Sequence, residues 1–464
     1  MRVTLCGAAG TVTGSGYLVE TSKATVLVDF GMFQGWRITD AHNRDIRPVD
    51  PKKLDSVVLT HAHLDHTGRL PLLGIGGFQG PIFATPATVD FTGLILRDAA
   101  HLQETDAARR SRRARRAGRE ETEPLYRKED VERIAPSFRE IDFQTPTEIA
   151  DGVTVRMVTA GHILGSASIE MTLEDKGVQR TVVFSGDLGP RGVPFLRDPV
   201  PLEHADLVFL ESTYGGRNHR SLDDTVGEFH EILGGALERR AKVLIPTFAI
   251  GRAQQLLYHL AELVRTDEYA EFPIYLDSPM AIEATRLYGK HAERFDEEAK
   301  TLMRHDQLEK DLRNLQFLET ADESRQLNND TRSGVVLAGS GMCNGGRILH
   351  HLKYHLWRKR TRVVFVGYQA QGTLGHQLVK GAQRVKIFGE RIQVNARVST
   401  LGGFSAHAGQ TELVEWVEPL VKSGATVALT HGEDESRAAL GKKLLDTFNV
   451  RAKLPRRGEA LAVS

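Results

Sequence analysis

Short runs of apolar, often β-branched residues fill the first 60 positions of the chain, at 3–5, 17–20 and 24–29, each bounded by glycine-rich or polar turns. Runs of this length with such boundaries predict strands. A fourth run, Ser56-Val57-Val58-Leu59-Thr60, predicts another, with a helix starting near Thr67 and a longer one over 88–103. After a charged interval the strand pattern returns at 153–159, 168–173, 181–185 and 206–210. From about 217 to 390 the pattern changes. Helices at 226–238, 251–264, 280–288 and 347–355 alternate with strands at 243–246, 274–276, 335–338 and 362–366. Such alternation predicts βαβ units around a parallel sheet. The interval 293–331 is charged, helical in character and without a clear apolar strand, so it is expected to decorate this second region. From about 392 the elements shorten again, with a helix over 411–421 and a strand over 426–429. No internal repeat is apparent.

Composition narrows this only slightly. A chain of 464 residues with 41% hydrophobic and 26% charged residues is an ordinary globular protein of two domains or more. Lys+Arg and Asp+Glu both number 60, so any polyanionic partner must be read by local patches rather than by net charge. Two cysteines, Cys6 and Cys343, make neither a disulfide framework nor a zinc ribbon, which predicts a reducing compartment. The strand-like start at Arg2 has no signal-peptide character, and no apolar run reaches a membrane span. A cytoplasmic protein without a membrane partner is expected.

The chemistry is concentrated where strands end. His61-Ala-His63-Leu-Asp65-His66 places four potential metal ligands in six residues directly after the run 56–60. Capping a helix needs one oxygen, not three imidazoles. Neutral imidazoles with a carboxylate suit zinc better than calcium or magnesium. His162, Asp187 and His431 each follow a further predicted strand. The seven donors suffice for two ions sharing one bridging carboxylate, and paired metals of that kind catalyse hydrolysis. Glu211 and His407 are left over. A histidine beside the metals that is not a ligand can protonate a leaving oxygen, with a carboxylate orienting its ring. Asp29, at another strand end, is either a turn residue or a partner that orients a metal-bound histidine.

Three further stretches stay ambiguous on their own. The glycine-rich stretch 7–16 lacks dinucleotide-binding spacing and reads as a tight hairpin. Gly339-Ser340-Gly341-Met342-Cys343-Asn344-Gly345-Gly346 joins a strand to a helix, which fits either a phosphate-binding turn or a plain tight one; Gly367-Tyr368-Gln369-Ala370 has weaker claims to the same role. Arg109, Arg110, Arg112, Arg113, Arg115, Arg116 and Arg119 form a basic run followed by Glu120, Glu121 and Glu123. It fits a solvated helix or loop, or a contact to a phosphate backbone.

Taken in order, His61-x-His63-x-Asp65-His66, His162 and Asp187 resemble the ligand series of the metallo-β-lactamase superfamily. Glu211-Ser-Thr-Tyr, Phe404-Ser405-Ala406-His407 and Leu429-Thr-His431-Gly432-Glu433 resemble motifs A, B and C of its β-CASP branch of nucleases. That branch includes compact bacterial ribonucleases and the endonuclease subunit of the cleavage and polyadenylation specificity factor. The resemblance implies an α/β fold: a metallo-β-lactamase αββα sandwich, here 1–210 and 396–464, interrupted by a β-CASP domain with a parallel sheet at 211–395. It implies a ribonuclease, endonucleolytic and with 5′-3′ exonucleolytic action left open. Two Zn2+ would be held by His61, His63 and His162 and by Asp65, His66 and His431, with Asp187 bridging. His407 would be the general acid, paired with Glu211. Ser340, Gly341, Met342 and Ser405 become candidates for a substrate phosphate. A histidine at motif C is the RNA-processing form, whereas DNA-repair members carry an apolar residue, so RNA, single-stranded, is the expected partner. A DNA nuclease and a weakly catalytic RNA-binding scaffold are the alternatives, and a homodimer is left open. With Ser464 soon after motif C and a strand-like start at Arg2 rather than a KH domain, the compact bacterial type is the expected form.

Overall fold

In the strand Thr25–Val28, Val26 and Val28 turn to one side and Leu27 to the other, and both sides are buried. That alternation, repeated in strand after strand, requires apolar layers on both faces of a sheet. The protein was described as a computed structural model covering residues 1–35, 40–265, 272–304, 310–330, 332–367, 369 and 371–463. It divides into two compact units, one of Met1–Gly192, Arg197–Asn218 and His407–Ser464, the other of Val193–Leu196 and His219–Ala406.

The first unit holds two sheets. One runs in the order Ala460–Ala462, Arg2–Leu5, Tyr17–Glu20, Thr25–Val28, Ser56–Val58, Ile82–Ala84 and Phe138–Glu140. The other runs Thr426–Thr430, Leu207–Glu211, Val178–Phe184, Ala167–Asp175, Val153–Thr159 and Thr147–Ala150. Val3, Leu5, Val26 and Val28 of the first meet Val155, Met157, Ile169, Phe184 and Phe209 of the second in one core. Residues of opposite parity form the outer cores. Leu27 and Val57 join Leu73, Leu96 and Val131 of the helices Leu70–Ile75, Pro86–Arg116 and Lys128–Ile134. Val208 and Leu210 join Leu413, Val417, Leu440 and Leu444 of the helices Gln410–Lys422 and Asp434–Phe448. The layers are therefore αββα.

The second unit is built on a six-stranded sheet, Leu315–Phe317, Ile274–Leu276, Gly334–Ala338, Lys242–Pro246, Arg362–Phe365 and Arg397–Thr400, parallel throughout. One face packs Leu244, Val336 and Val363 against Ile348, Leu352 and Leu356. The chain leaves the first unit after Asn218 and returns at His407, and the strands on either side of this excursion, Leu207–Glu211 and Thr426–Thr430, pair in parallel with Glu211 opposite Thr430.

Several elements depart from the sequence expectation. The interval 293–331 does contain a strand, Leu315–Phe317, at the sheet edge. An edge strand with Gln316 and Phe317 exposed has little to bury, so it carries no apolar run. The stretch 384–393 forms a separate antiparallel hairpin, Arg384–Ile387 with Glu390–Gln393. The helix expected over 88–103 continues to Arg116, which places most of the basic run on helix rather than loop. Residues 6–16 connect antiparallel neighbours, as a hairpin should, but through a long loop rather than a tight turn. Among the described residues no helix is long and apolar enough to cross a membrane.

Candidate metal centre

Strand ends deliver every donor. The strand Ser56–Val58 leads into His61 and His63, and the turn Leu64–Thr67 carries Asp65 and His66. Val153–Thr159 leads to His162, Val178–Phe184 to Asp187 and Thr426–Thr430 to His431, while Glu211 is the last residue of its own strand. Parallel pairing of the strands before Asp187, Glu211 and His431 points all three to the same edge of the sheet. Backbone contacts then fix the loops. Gly31 N–H donates to Ser15 O at 2.7 Å, and Ser15 N–H donates to Asp65 O at 2.8 Å. A Cβ on Gly31 would lie only 1.5 Å from Asp65 O. The Gly31→Ala protein is therefore expected to lose at least about 1–3 kcal/mol of stability, with displaced Asp65 lowering metal content. An unchanged melting temperature and metal content would contradict that account.

The donors meet in sets. His61, His63, His162 and Asp187 each bring a ligand atom within 4.8 Å of the others, and so do Asp65, His66 and His431. His63 Nδ1 lies 3.2 Å from His61 Nε2 and 3.0 Å from His162 Nε2, and His66 Nε2 lies 3.1 Å from His431 Nε2. Ring nitrogens held about 2.0–2.1 Å from a tetrahedral zinc would stand about 3.3 Å apart. Asp187 lies between the sets, with Oδ2 3.5 Å from His61 Nε2 and 3.6 Å from His162 Nε2. Its Oδ1 is 3.3 Å from His66 Nε2. That oxygen is buried without a hydrogen-bond partner, which a nearby cation would remedy. The donor set, its spacing and this orphan oxygen fit a metal site.

Electrostatics agree. Burial opposes the charge of Asp187, but His431, His66 and His61 outweigh it and hold the carboxyl well below the usual range. Burial likewise opposes Asp65, but His431, with Nε2 3.6 Å from Oδ2, and His66 outweigh it and bring the carboxyl down to about 2. Burial pushes His61 and His63 below the ordinary histidine value, leaving neutral rings with lone pairs to donate. For His66, burial is outweighed by Asp187 and Asp29, which raise it well above that value. A divalent cation would satisfy the same carboxylates in place of that proton.

A surrounding layer orients the rings. Asp29 is buried and in the left-handed region, φ 55°. It accepts from Thr60 N and Thr60 Oγ1, both at 2.8 Å, and lies 2.7 Å from His66 Nδ1. With Nδ1–H donating to Asp29, the His66 Nε2 lone pair faces the cluster. His431 also has positive φ, 47°, held by its N–H to Ala8 O at 2.7 Å. The glycine-rich stretch 7–16 thus supports both the 61–66 loop and His431. Thr60, Thr213 (Oγ1 3.2 Å from His431 Nδ1) and Ser166 (Oγ accepting from His162 N at 3.0 Å) have supporting roles that the sequence does not reveal. A lone hydroxyl at a strand end carries no signal until its partner is known.

His407 Nδ1 lies 3.1 Å from Glu211 Oε1. Leu188 N–H donates to Oε1 at 2.9 Å and Thr213 N–H to Oε2 at 3.1 Å, so the carboxylate cannot swing. Burial disfavours a charged His407, yet Glu211 outweighs it and lifts the ring to about 9. The His407 side chain is 21% exposed, whereas those of His61, His66 and His162 are at most 1%. With His63, which is also only partly buried, it is a ring that solvent or substrate can reach.

The candidate phosphate residues Ser340, Gly341, Met342 and Ser405 belong to the second unit. Ser340 Oγ accepts from Asn344 N at 3.1 Å and Gly345 N at 3.3 Å, closing its own loop. Gly341 O accepts from Gln369 Nε2 at 3.0 Å. Ser405 is buried. Tyr368 and Ala370 lie outside the described residues. Cys6 and Cys343 are buried and unpaired, and burial pushes both thiols up to about 12, so neither is suited to bind a metal.

An αββα sandwich with histidines and aspartates gathered at its strand ends defines a metal-binding hydrolase of the metallo-β-lactamase type. Residues 9–246 match the metallo-β-lactamase superfamily, 253–378 the β-CASP domain, and 391–455 the Zn-dependent metallo-hydrolase RNA specificity domain. The chain belongs to the β-CASP family of the metallo-β-lactamase superfamily. It is 42% identical to "Ribonuclease TTHA0252" of Thermus thermophilus over 463 residues, spanning 100% of both chains. It is 30% identical to "Transcription termination factor FttA" of Thermococcus kodakarensis, over 99% of this chain and 71% of that one. The fold is also that of a crystal structure of a protein of unknown function from Enterococcus faecalis, with a TM-score of 0.55 at 12% identity and 99% of each chain covered.

Proposed function

We propose that the protein is a ribonuclease that hydrolyses phosphodiester bonds of single-stranded RNA with two zinc ions. The observation that carries this reading is the clustering of seven donors in two sets about Asp187, beside a His407–Glu211 pair. The ribonuclease relative and the match to an RNA specificity domain support RNA as the polymer. His61, His63 and His162 would hold one ion, Asp65, His66 and His431 the other, with Asp187 shared. The ions supply Lewis acidity and an acidified water when bound. Asp29 keeps the His66 lone pair directed inward. Glu211 keeps His407 protonated at Nδ1 and turned for proton donation, and His407 delivers a proton to the leaving oxygen as the P–O bond breaks. Two buried, unpaired thiols suit a reducing cytoplasm.

The test compares wild type with His63→Ala on labelled single-stranded RNA and matched DNA, with metal content measured on the same samples. Wild type is expected to carry about two zinc ions, to cleave RNA and to prefer it to DNA, and the variant to lose both metal and cleavage. Equal cleavage by the two proteins would sink the reading, and preference for DNA would move it to a DNA nuclease.

A further inference from the structure

The arginines at 109, 110, 112, 113, 115, 116 and 119 take no part in the metal centre. They occupy the last turns of the helix Pro86–Arg116 and the residues just beyond, and all are exposed. Ala107 and Ser111 bury the inward side of these turns. At 3.6 residues per turn, Arg109, Arg112, Arg113 and Arg116 project from the opposite side along about 10 Å of axis.

A solvated helix face explains only part of this charge. Arg109 pairs with Asp106 at 2.8 Å and Arg115 with Glu121 at 2.7 Å. No ion pair among the described residues joins Arg112, Arg113 or Arg116 to a carboxylate. The helix dipole favours cations only in the final turn. Like charges at i,i+4, as in Arg109 with Arg113 and Arg112 with Arg116, weaken a helix rather than support it. A face serving solubility would interleave glutamates, and lysine would serve it equally. Every cation here is arginine, whose planar fork matches phosphate oxygens. The chain as a whole balances 60 cationic against 60 acidic side chains, so the concentration is local.

The same helix starts at the metal centre. Thr85 Oγ1 and Thr88 Oγ1 donate to Gly165 O at 2.6 and 2.9 Å, in the loop that carries His162. From Thr88 to Arg112 the axis runs about 36 Å at 1.5 Å per residue. We propose that the 109–116 face of this helix is an exosite for the phosphate backbone of single-stranded RNA, holding a distal part of the substrate without reading its sequence. This rests on the ribonuclease reading for the identity of the polyanion. A single strand stacked at the duplex spacing of about 3.4 Å would need on the order of 10 nucleotides to span this distance, and an extended one fewer.

The experiment compares wild type with the combined Arg112→Ala, Arg113→Ala and Arg116→Ala protein. Alanine preserves the helix. Three probes are used: a labelled RNA well above that length, a tetranucleotide, and bis(p-nitrophenyl) phosphate. For the long RNA, Kd and KM are expected to rise roughly 10–100-fold, and the slope of log K against log salt to become shallower by about 2, from three lost contacts. Turnover of the tetranucleotide and of the small diester is expected to stay unchanged. Arginine-to-lysine replacements at the same positions are expected to recover the salt slope. Unchanged Kd and slope for the long RNA overturn the exosite and leave the face to solvent or an acidic protein. Equal weakening on all three probes also overturns it, as damage to the fold. Wild type that binds the long RNA without cleaving it, while the triple variant binds weakly, retains the exosite and defeats the nuclease reading. Absence of RNA binding by wild type defeats both.

Discussion

Asp187→Asn is expected to strip the protein of metal and abolish RNA cleavage while leaving it folded. Asp187 is 2% exposed and its two oxygens face opposite sets of histidines, at 3.3 to 3.6 Å. Asparagine keeps the volume but removes the charge that balances two cations. Leaving buried charge uncompensated costs about 3–5 kcal/mol, or about two to four orders of magnitude in metal affinity at 1.4 kcal/mol per tenfold. Direct metal analysis should show fewer than two ions per chain, with circular dichroism close to wild type. Full metal content with normal turnover would remove Asp187 from its bridging role.

The second large effect is expected at His407. His407→Gln should lower kcat on RNA by about 10²–10⁴-fold, the usual worth of a positioned general acid, with metal content unchanged. The variant keeps a hydrogen-bonding side chain beside Glu211 but has no proton to give. A diester whose leaving group needs no proton, such as bis(p-nitrophenyl) phosphate, should lose far less. Equal losses on both substrates would instead assign His407 to substrate or metal binding. Glu211→Gln should fall between wild type and the His407 variant. It retains the Leu188 contact yet no longer stabilises the imidazolium.

Much of this arrangement was legible in the chain because each donor interrupts the end of an apolar strand with a side chain that a core does not need. His61, His162 and His431 share that signature, as do Asp187 and Glu211. The helices of the second unit were legible for a related reason, since their apolar periodicity alternates with short apolar strands that the helices bury. Leu315–Phe317 escaped because an exposed edge strand needs no apolar pattern. The extension of the long helix to Arg116 was obscured by its charge. Arginine is a good helix former, but a run of them has no apolar stripe to mark the helix.

The sequence by itself determined the residue types, their order and their positions at strand ends, because side-chain hydrophobicity and its periodicity are local properties of the chain. Only the tertiary structure decided which donors meet. Pairing of Leu207–Glu211 with Thr426–Thr430 brings His431 beside His66 across more than half the chain. The same folding presses Gly31 against Asp65, turns Asp29 toward His66 and locks Glu211 with two backbone amides. These depend on contacts between residues far apart in sequence, and no local pattern encodes the partner at the other end.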